Sequence, residues 1–262
     1  MFFKTLKQKF AVCLCALAMI SHHASATVVE VRTNVGNFQI NLFDEDTPRT
    51  VENFLSYVNA GAYANNVVHR SVPGFVVQMG GFQFNDSFPP DAIATASPVQ
   101  NEPELSNVIA TVAMAKLSNQ PDSATSQFFI NLSDNSQNLD TSNSGFSVFG
   151  QVIGDGMAVV NQIAALDRFG FASPFNEIPL QNYTATDAQS GVEITRDNVV
   201  LITDIVVIDS AVVTNPGLNP VPNTRIDATP TTPPSEQGSS GGSLGFAALV
   251  MMAIVFRRKI AK

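Results

Sequence analysis

A closed antiparallel β-barrel capped by two helices is the fold class that this sequence predicts. Three observations carry it. From Thr27 the chain is mostly short runs of β-branched and aromatic residues, separated by loops rich in Asn, Asp, Ser and Pro. Only two segments have helical periodicity, and they interrupt the strands without alternating with them as the units of a parallel sheet do. Closure removes the exposed edges that so many strands otherwise leave.

Each element has its own signal. "TVVEVRT" and "FQINLF" form a hairpin across a turn at Asn34–Asn37, with Phe38, Ile40 and Leu42 alternating with Gln39 and Asn41. "DEDTPRTVENFLSYVNAG" is punctuated as a helix, with Thr47 as cap, Pro48 at the first position, acids ahead of it and Gly61 past the end. Its Val51, Phe54, Leu55 and Val58 fall on one face, which makes that face core. Strands follow in "NVVHRSVPGFVVQMGG", "ATVAMAKL", "SQFFINL", "FSVFGQVI" and "NVVLITDIVVID". "GMAVVNQIAAL" is the second helix, with Met157, Val160, Ile163 and Ala164 at helical spacing.

Both termini depart from this pattern. Residues 1–26 read as an export signal: Lys4, Lys7 and Lys9 precede the apolar run "FAVCLCALAMI", and Ala24–Ala26 offer the small residues of a signal-peptidase site. Both cysteines, Cys13 and Cys15, lie in that leader, so the exported chain is expected to hold no disulfide and no Cys-ligated metal. Residues 27–213 are expected to form the folded domain, and 214–242, rich in Pro, Thr, Asn, Ser and Gly, a disordered linker. Residues 243–262 carry an apolar stretch from Leu244 to Phe256 followed by Arg257, Arg258 and Lys259. That stretch is 13 residues long, short of the ~20 of a comfortable span. A plain C-terminal anchor is one reading. The layout also resembles the Gly-Gly C-terminal sorting signals of Gram-negative bacteria, which implies cleavage by a rhomboid-type protease and a final place in the periplasm, at the cell surface or outside the cell.

Charge narrows the partners. Seven of the 14 Lys and Arg lie in the two terminal signals, whereas all 22 Asp and Glu lie between Thr27 and Phe256, leaving the body at −15. An acidic body argues against nucleic acid or anionic lipid as partner.

The catalytic inventories are nearly empty. Outside the leader His69 is the only histidine, and no Gly-rich phosphate loop, Gly-x-Ser-x-Gly elbow or His-x-x-His pair occurs, which disfavours triad hydrolysis, zinc chemistry and nucleotide binding. What remains is polar residues among apolar ones: Arg70, Gln78 and Gln127 in "VVHRSV", "FVVQMGG" and "TSQFFIN". Any one of them alone reads as an outward-facing strand residue. Together they suggest a groove floored by Phe75 and Phe129 with the three donors along its rim; Phe75 and Val77 share a face if the strand is regular, as do Gln127 and Phe129.

"HRSVPGFVVQMGGF", "ATVAMAK", "DSATSQFFINL" and "FSVFGQV" together resemble the cyclophilin family of peptidyl-prolyl cis-trans isomerases, in particular its bacterial exported members, from Val28 to about Asp209. The resemblance implies an eight-stranded closed antiparallel barrel capped by two helices, with the active groove on its outer face and no metal or other cofactor. It implies Arg70, Gln78 and Phe75 as catalytic residues. His69, Val76, Ala115, Lys116, Gln127, Phe129, Leu139 and Phe146 are then substrate-binding: Phe75, Val76, Phe129 and Leu139 form the proline pocket, Ala115, Lys116 and Gln127 the edge beside it, and His69 orders the groove.

Departures from the family pattern are specific. Val76 stands where a Met is usual, Asn138 where many eukaryotic members carry a Trp, and Phe146 where the pocket wall has a His; the loop "DNSQNLDTSNSG" is one residue longer. The missing Trp implies weak cyclosporin binding. An insertion around residues 169–198 lengthens the link to the last strand, and no role is readable from it.

Three functions compete at this point. The first is an isomerase acting as a monomer on Pro-containing polypeptide clients. The second is a module that only binds such segments, which has no need of the cation Arg70. The third, a carrier of small ligands, is disfavoured because Phe38, Ile40, Leu42, Phe128 and Ile130 are large enough to fill the interior.

Overall fold

The computed structural model of the protein describes residues 27–210 and 217–226. The expected export signal, the apolar C-terminal segment and most of the expected linker fall outside the described residues. Among the described residues no helix is long and apolar enough to cross a membrane.

The elements run β1 (Val28–Thr33), β2 (Gly36–Leu42), α1 (Pro48–Asn59), β3 (Asn66–Val67), β4 (Arg70–Val72), β5 (Val76–Met79), β6 (Phe82–Gln83), β7 (Asp91–Ala92), β8 (Thr111–Met114) and β9 (Phe128–Asn131). Next come α2 (Ser136–Leu139), β10 (Val148–Ile153), α3 (Gly156–Ala164), β11 (Arg168–Phe169), β12 (Ile178–Pro179), α4 (Ala185–Ser190) and β13 (Leu201–Asp209). The β1–β2 hairpin and both expected helices are present. Thr47 does not cap α1 with its side chain. The free N–H groups of the first turn are taken by Glu102 instead, whose carboxylate accepts from Thr50 N at 2.8 Å and Arg49 N at 3.3 Å, a favourable place for an anion at a helix N-terminus.

The expected closed eight-stranded barrel is corrected by the structure. The strands form one curled, open half-barrel sheet of 11 strands, in the order β4-β5-β9-β8-β10-β2-β1-β13-β3-β6-β7. The reason lies at Val68–His69, where one extended segment changes partners. Val68 N donates to Val200 O beside β13, and His69 N donates to Gln78 O on β5. The two flanks of the sheet are thus joined there by continuous chain, with no ladder between β3 and β4.

The concave face is packed as expected. Phe38, Ile40, Leu42, Phe128 and Ile130 are all buried, with Val51, Phe54 and Val58 of α1 and Val160 and Ile163 of α3 beside them. Phe54 meets Phe128 edge-on at 5.4 Å and Phe149 at 5.0 Å, contacts worth about 0.5–1.5 kcal/mol each beyond the area they bury.

Two further segments pack where local composition offers no reason to expect it. The arm between α3 and β13 builds a second small core, with Phe175, Ile178, Leu180, Tyr183 and Ile194 against Val67, Phe84 and Leu201. Part of the expected linker is also ordered: Gly217–Ile226 runs along residues 103–106. Ser106 N donates to Val221 O at 2.7 Å, Asn223 N to Glu104 O at 2.8 Å, and Asn223 Nδ2 to Pro103 O and Asp140 O at 3.0 and 2.9 Å. A Pro-rich stretch folds here because its backbone partners come from the domain, so it has no need of a core of its own.

Candidate active site

The hairpin β4–β5 builds the site. Its turn is Val72-Pro73-Gly74-Phe75, closed by Phe75 N donating to Val72 O at 3.0 Å, with Gly74 at φ +66°, which favours glycine there. Across the ladder Arg70 faces Gln78, Gln78 faces Phe129 and Phe129 faces Ala113. Residues paired in this way project from the same side of a sheet, so the register alone sets a cation, an amide and an aromatic ring in one row on the convex face. The intervening residues Val77, Ile130 and Val112 point into the core.

Beneath that row lies an apolar cluster in which Val76, Leu105, Ala113, Ala115, Phe129, Leu139, Phe146 and Val148 are buried and Phe75 and Leu218 pack at the margin. The four residues expected to line the proline pocket are thus together. Phe75 and Val77 do not share a face, contrary to expectation: Phe75 sits on the turn before β5 and joins the convex cluster, whereas Val77 joins the core. Phe146, on the expected wall, meets Phe129 edge-on at 5.8 Å.

Gln78 and Gln127 are coupled, Gln78 Nε2 donating to Gln127 Oε1 at 3.1 Å. The glycine pair after β5 permits this. A Cβ on Gly81 would overlap the Gln127 side chain, and Gly80, at φ +90°, lies against Ser126 O. His69 is fully buried and packs edge-on against Phe82 at 4.9 Å. Burial, with the Arg70 charge adding to it, pushes its pKa down to about 3, so the imidazole is neutral near pH 7.

Arg70 is the polar centre. Its Nε donates to Glu177 Oε2 at 3.0 Å, while Nη1 is buried without a partner, as is Gln78 Oε1. Unpaired buried polar groups are costly, and a substrate that supplies the missing partners recovers that cost.

Lys116 turns its side chain inward: it is buried, with Nζ donating to Asn101 Oδ1 at 3.1 Å, Asn143 O at 2.9 Å and Gly145 O at 2.5 Å, and it lies 4.7 Å from the Phe146 ring centroid. Burial lowers its pKa to about 8. A long side chain among small neighbours turned inward because the backbone carbonyls of the 143–145 loop gave it better partners than water. Ala115 and Gln127 do remain adjacent, Ala115 N donating to Gln127 O at 2.9 Å.

Other supports went unseen in the sequence. Asn135 Nδ2 and Leu132 N both donate to Phe75 O, at 2.9 and 2.8 Å. Asp140 is fully buried and accepts from Ser106 Oγ, Asn107 N and Asn107 Nδ2, holding the loop that carries Leu139 and Phe146. Asn135 and Asp140 sit in a loop whose composition looks like any surface turn, so local sequence carries no signal of their burial. Among the described residues no group of three or more His, Cys, Asp or Glu is placed to hold a metal ion.

Comparison with known proteins agrees with this geometry. Residues 28–186 match the family model of the cyclophilin type peptidyl-prolyl cis-trans isomerase/CLD. A peptidyl-prolyl cis-trans isomerase of Acinetobacter baylyi is 43% identical over 160 residues, which is 60% of this chain and 82% of that protein. Peptidyl-prolyl cis-trans isomerase A of Dickeya dadantii is 40% identical over 159 residues, 59% of this chain and 80% of that one. Peptidyl-prolyl cis-trans isomerase B of Escherichia coli is 37% identical over 170 residues, 61% of this chain and all of that one. A convex row of Arg70, Gln78 and Phe129 beside an apolar cluster, on a chain that matches this family model and these relatives, identifies the protein as a member of the cyclophilin-type peptidyl-prolyl cis-trans isomerases.

Proposed function

We propose that this isomerase acts on X-Pro bonds of exported polypeptides, by stabilising the twisted amide without forming any covalent bond to it. Rotation about a peptide bond faces a barrier of ~18–20 kcal/mol that comes from amide resonance, so the enzyme has only to weaken that resonance. The proline ring enters the cluster of Phe75, Val76, Phe129 and Leu139. The Arg70 guanidinium, permanently charged, faces the prolyl nitrogen and stabilises the lone pair that the nitrogen gains as the amide twists. Gln78 steadies the substrate backbone. One observation carries this reading: the buried, unpaired Nη1 of Arg70 beside the unpaired Oε1 of Gln78, above an apolar cluster.

The setting we propose is outside the cytoplasm. Residues 1–26 are removed by signal peptidase, residues 27–213 form the isomerase domain, and residues 243–262 are a sorting signal or anchor read by a rhomboid-type protease near Gly241, leaving the protein in the periplasm, at the cell surface or secreted. The basis is the charge and apolar pattern of the two ends. X-Pro isomerisation takes ~10–100 s unaided at 25 °C, slow enough to limit folding where such clients mature. We further propose that the protein acts as a monomer and that it binds cyclosporin weakly, the latter on the basis of Asn138 in place of Trp.

A protease-coupled assay on an Ala-Pro-Phe peptide tests the activity. Acceleration over background that vanishes when Arg70 is made neutral supports the reading. Binding of Pro peptides with no acceleration leaves a binding module only. Intact mass of the mature protein tests the processing, since a terminus beyond Phe256 contradicts cleavage near Gly241.

A further inference from the structure

We propose that Glu177, on the arm between α3 and β13, is a positioning residue for the isomerisation; the inference rests on Arg70 acting as proposed above. The arm brings a carboxylate to the guanidinium from 107 residues away in sequence. The contact is made at Nε alone, at 3.0 Å. A carboxylate clamped across both terminal nitrogens would consume the donors that face substrate. Held at Nε, the guanidinium plane is fixed in azimuth while Nη1 stays buried and unpaired. An arginine side chain otherwise has many rotamers to lose when it acts, and a charge-assisted bond made before substrate arrives removes that loss from the reaction.

The carboxylate has a firm base although its own side chain is 41% exposed. Ser71 N donates to Glu177 O at 2.8 Å, so the backbone of Glu177 is pinned to the residue next to Arg70 on the same strand. On one side Ile178 is fully buried; on the other Phe175 meets Phe82 at 4.9 Å, and Phe82 meets His69 at 4.9 Å. The arm therefore flanks the catalytic arginine through both the carboxylate and the ring series that ends on His69. The role of residues 169–198, unreadable in sequence, is to hold this arrangement.

The test uses the purified full chain with Glu177→Ala, Glu177→Gln and Arg70→Ala in parallel. Glu177→Ala is expected to lower kcat about tenfold with KM changed by less than about twofold, since a misplaced catalytic group costs the transition state more than the bound ground state. Glu177→Gln keeps an oxygen that can accept from Nε, and recovers most of the rate. The Arg70 Nε–H resonance is slow to exchange in the wild type and in Glu177→Gln, and exchanges fast in Glu177→Ala, a signature that a loss of packing elsewhere would not give. If Glu177→Ala keeps full kcat or gains rate while Arg70→Ala is inactive, the positioning role is overturned and the role of Arg70 stands. If Glu177→Gln falls as far as Glu177→Ala with the Nε–H signal unmoved, the role is likewise overturned. If Arg70→Ala is itself fully active, both readings fail together.

Discussion

The two faces of β5, β9 and β8 are built from alternate residues of the same twelve positions, yet they are built by different rules. On the concave face Val77, Met79, Phe128, Ile130, Val112 and Met114 all join the main hydrophobic core. On the convex face Gln78, Asn131 and Ala113 share space with Val76 and Phe129. The concave face is dominated by close-packed apolar side chains. The convex face leaves Gln78 Oε1 and Arg70 Nη1 without partners and carries that cost in the free protein. The comparison puts the packed core and the candidate site on opposite faces of one sheet.

The sharpest test of that separation is Phe128→Ala. Removing a fully buried ring from the aromatic cluster is expected to cost about 3–5 kcal/mol of stability, read by chemical denaturation, while molecules that remain folded keep their turnover. Arg70→Ala should do the reverse, lowering kcat/KM by ~10²–10³, or about 3–4 kcal/mol of transition-state stabilisation, in the peptide assay with little change in melting temperature. If Arg70→Ala melts the domain, or Phe128→Ala lowers turnover per folded molecule, the two faces are not independent. Asn223→Ala is smaller. It removes the two side-chain bonds that fasten the 217–226 segment to Pro103 O and Asp140 O, and is expected to cost about 1–2 kcal/mol, with faster hydrogen exchange at Ser106 N as the local readout.

A dependence on pH is expected as well, carried by the buried imidazole of His69. Folded His69 has a pKa of about 3, against 6.5 ordinarily. Between those values the unfolded chain binds a proton that the folded chain does not, so stability falls as pH drops from about 6.5 toward 3 and is recovered above 6.5. Melting temperatures of the wild type and His69→Gln between pH 4 and 7 should converge at the acid end. A kcat/KM profile with an inflection near 6.5 that disappears in His69→Gln would instead give the imidazole a titrating role.

Much of this was legible from residue order. Alternation in "FQINLF", the Pro-Gly turn and the spacing of "SQFFINL" were enough to place the strands, and Arg70, Gln78 and Phe129 do fall in one row on one face. Local pattern failed where the partner was remote. The cap of α1 comes from Glu102, the direction of Lys116 from carbonyls at Asn143 and Gly145, and the tether on Arg70 from Glu177. Closure failed for a related reason: alternation specifies which side of a strand is buried, whereas the change of partner between Val68 and His69 is decided by the ladders on either side. The ordered stretch 217–226 misled through composition, which reports the lack of a private core and says nothing of a borrowed one.

That borrowed seat sets where mechanical load enters the domain. Tension on the chain beyond Ile226 is received first at Asn223, whose amide grips the carbonyls of Pro103 and Asp140, and only afterwards at the end of β13. Asp140 is the residue that steadies the loop bearing Leu139 and Phe146. A pull from downstream therefore meets the loop that bears Leu139 and Phe146, at the margin where Leu218 rests, before it meets β13.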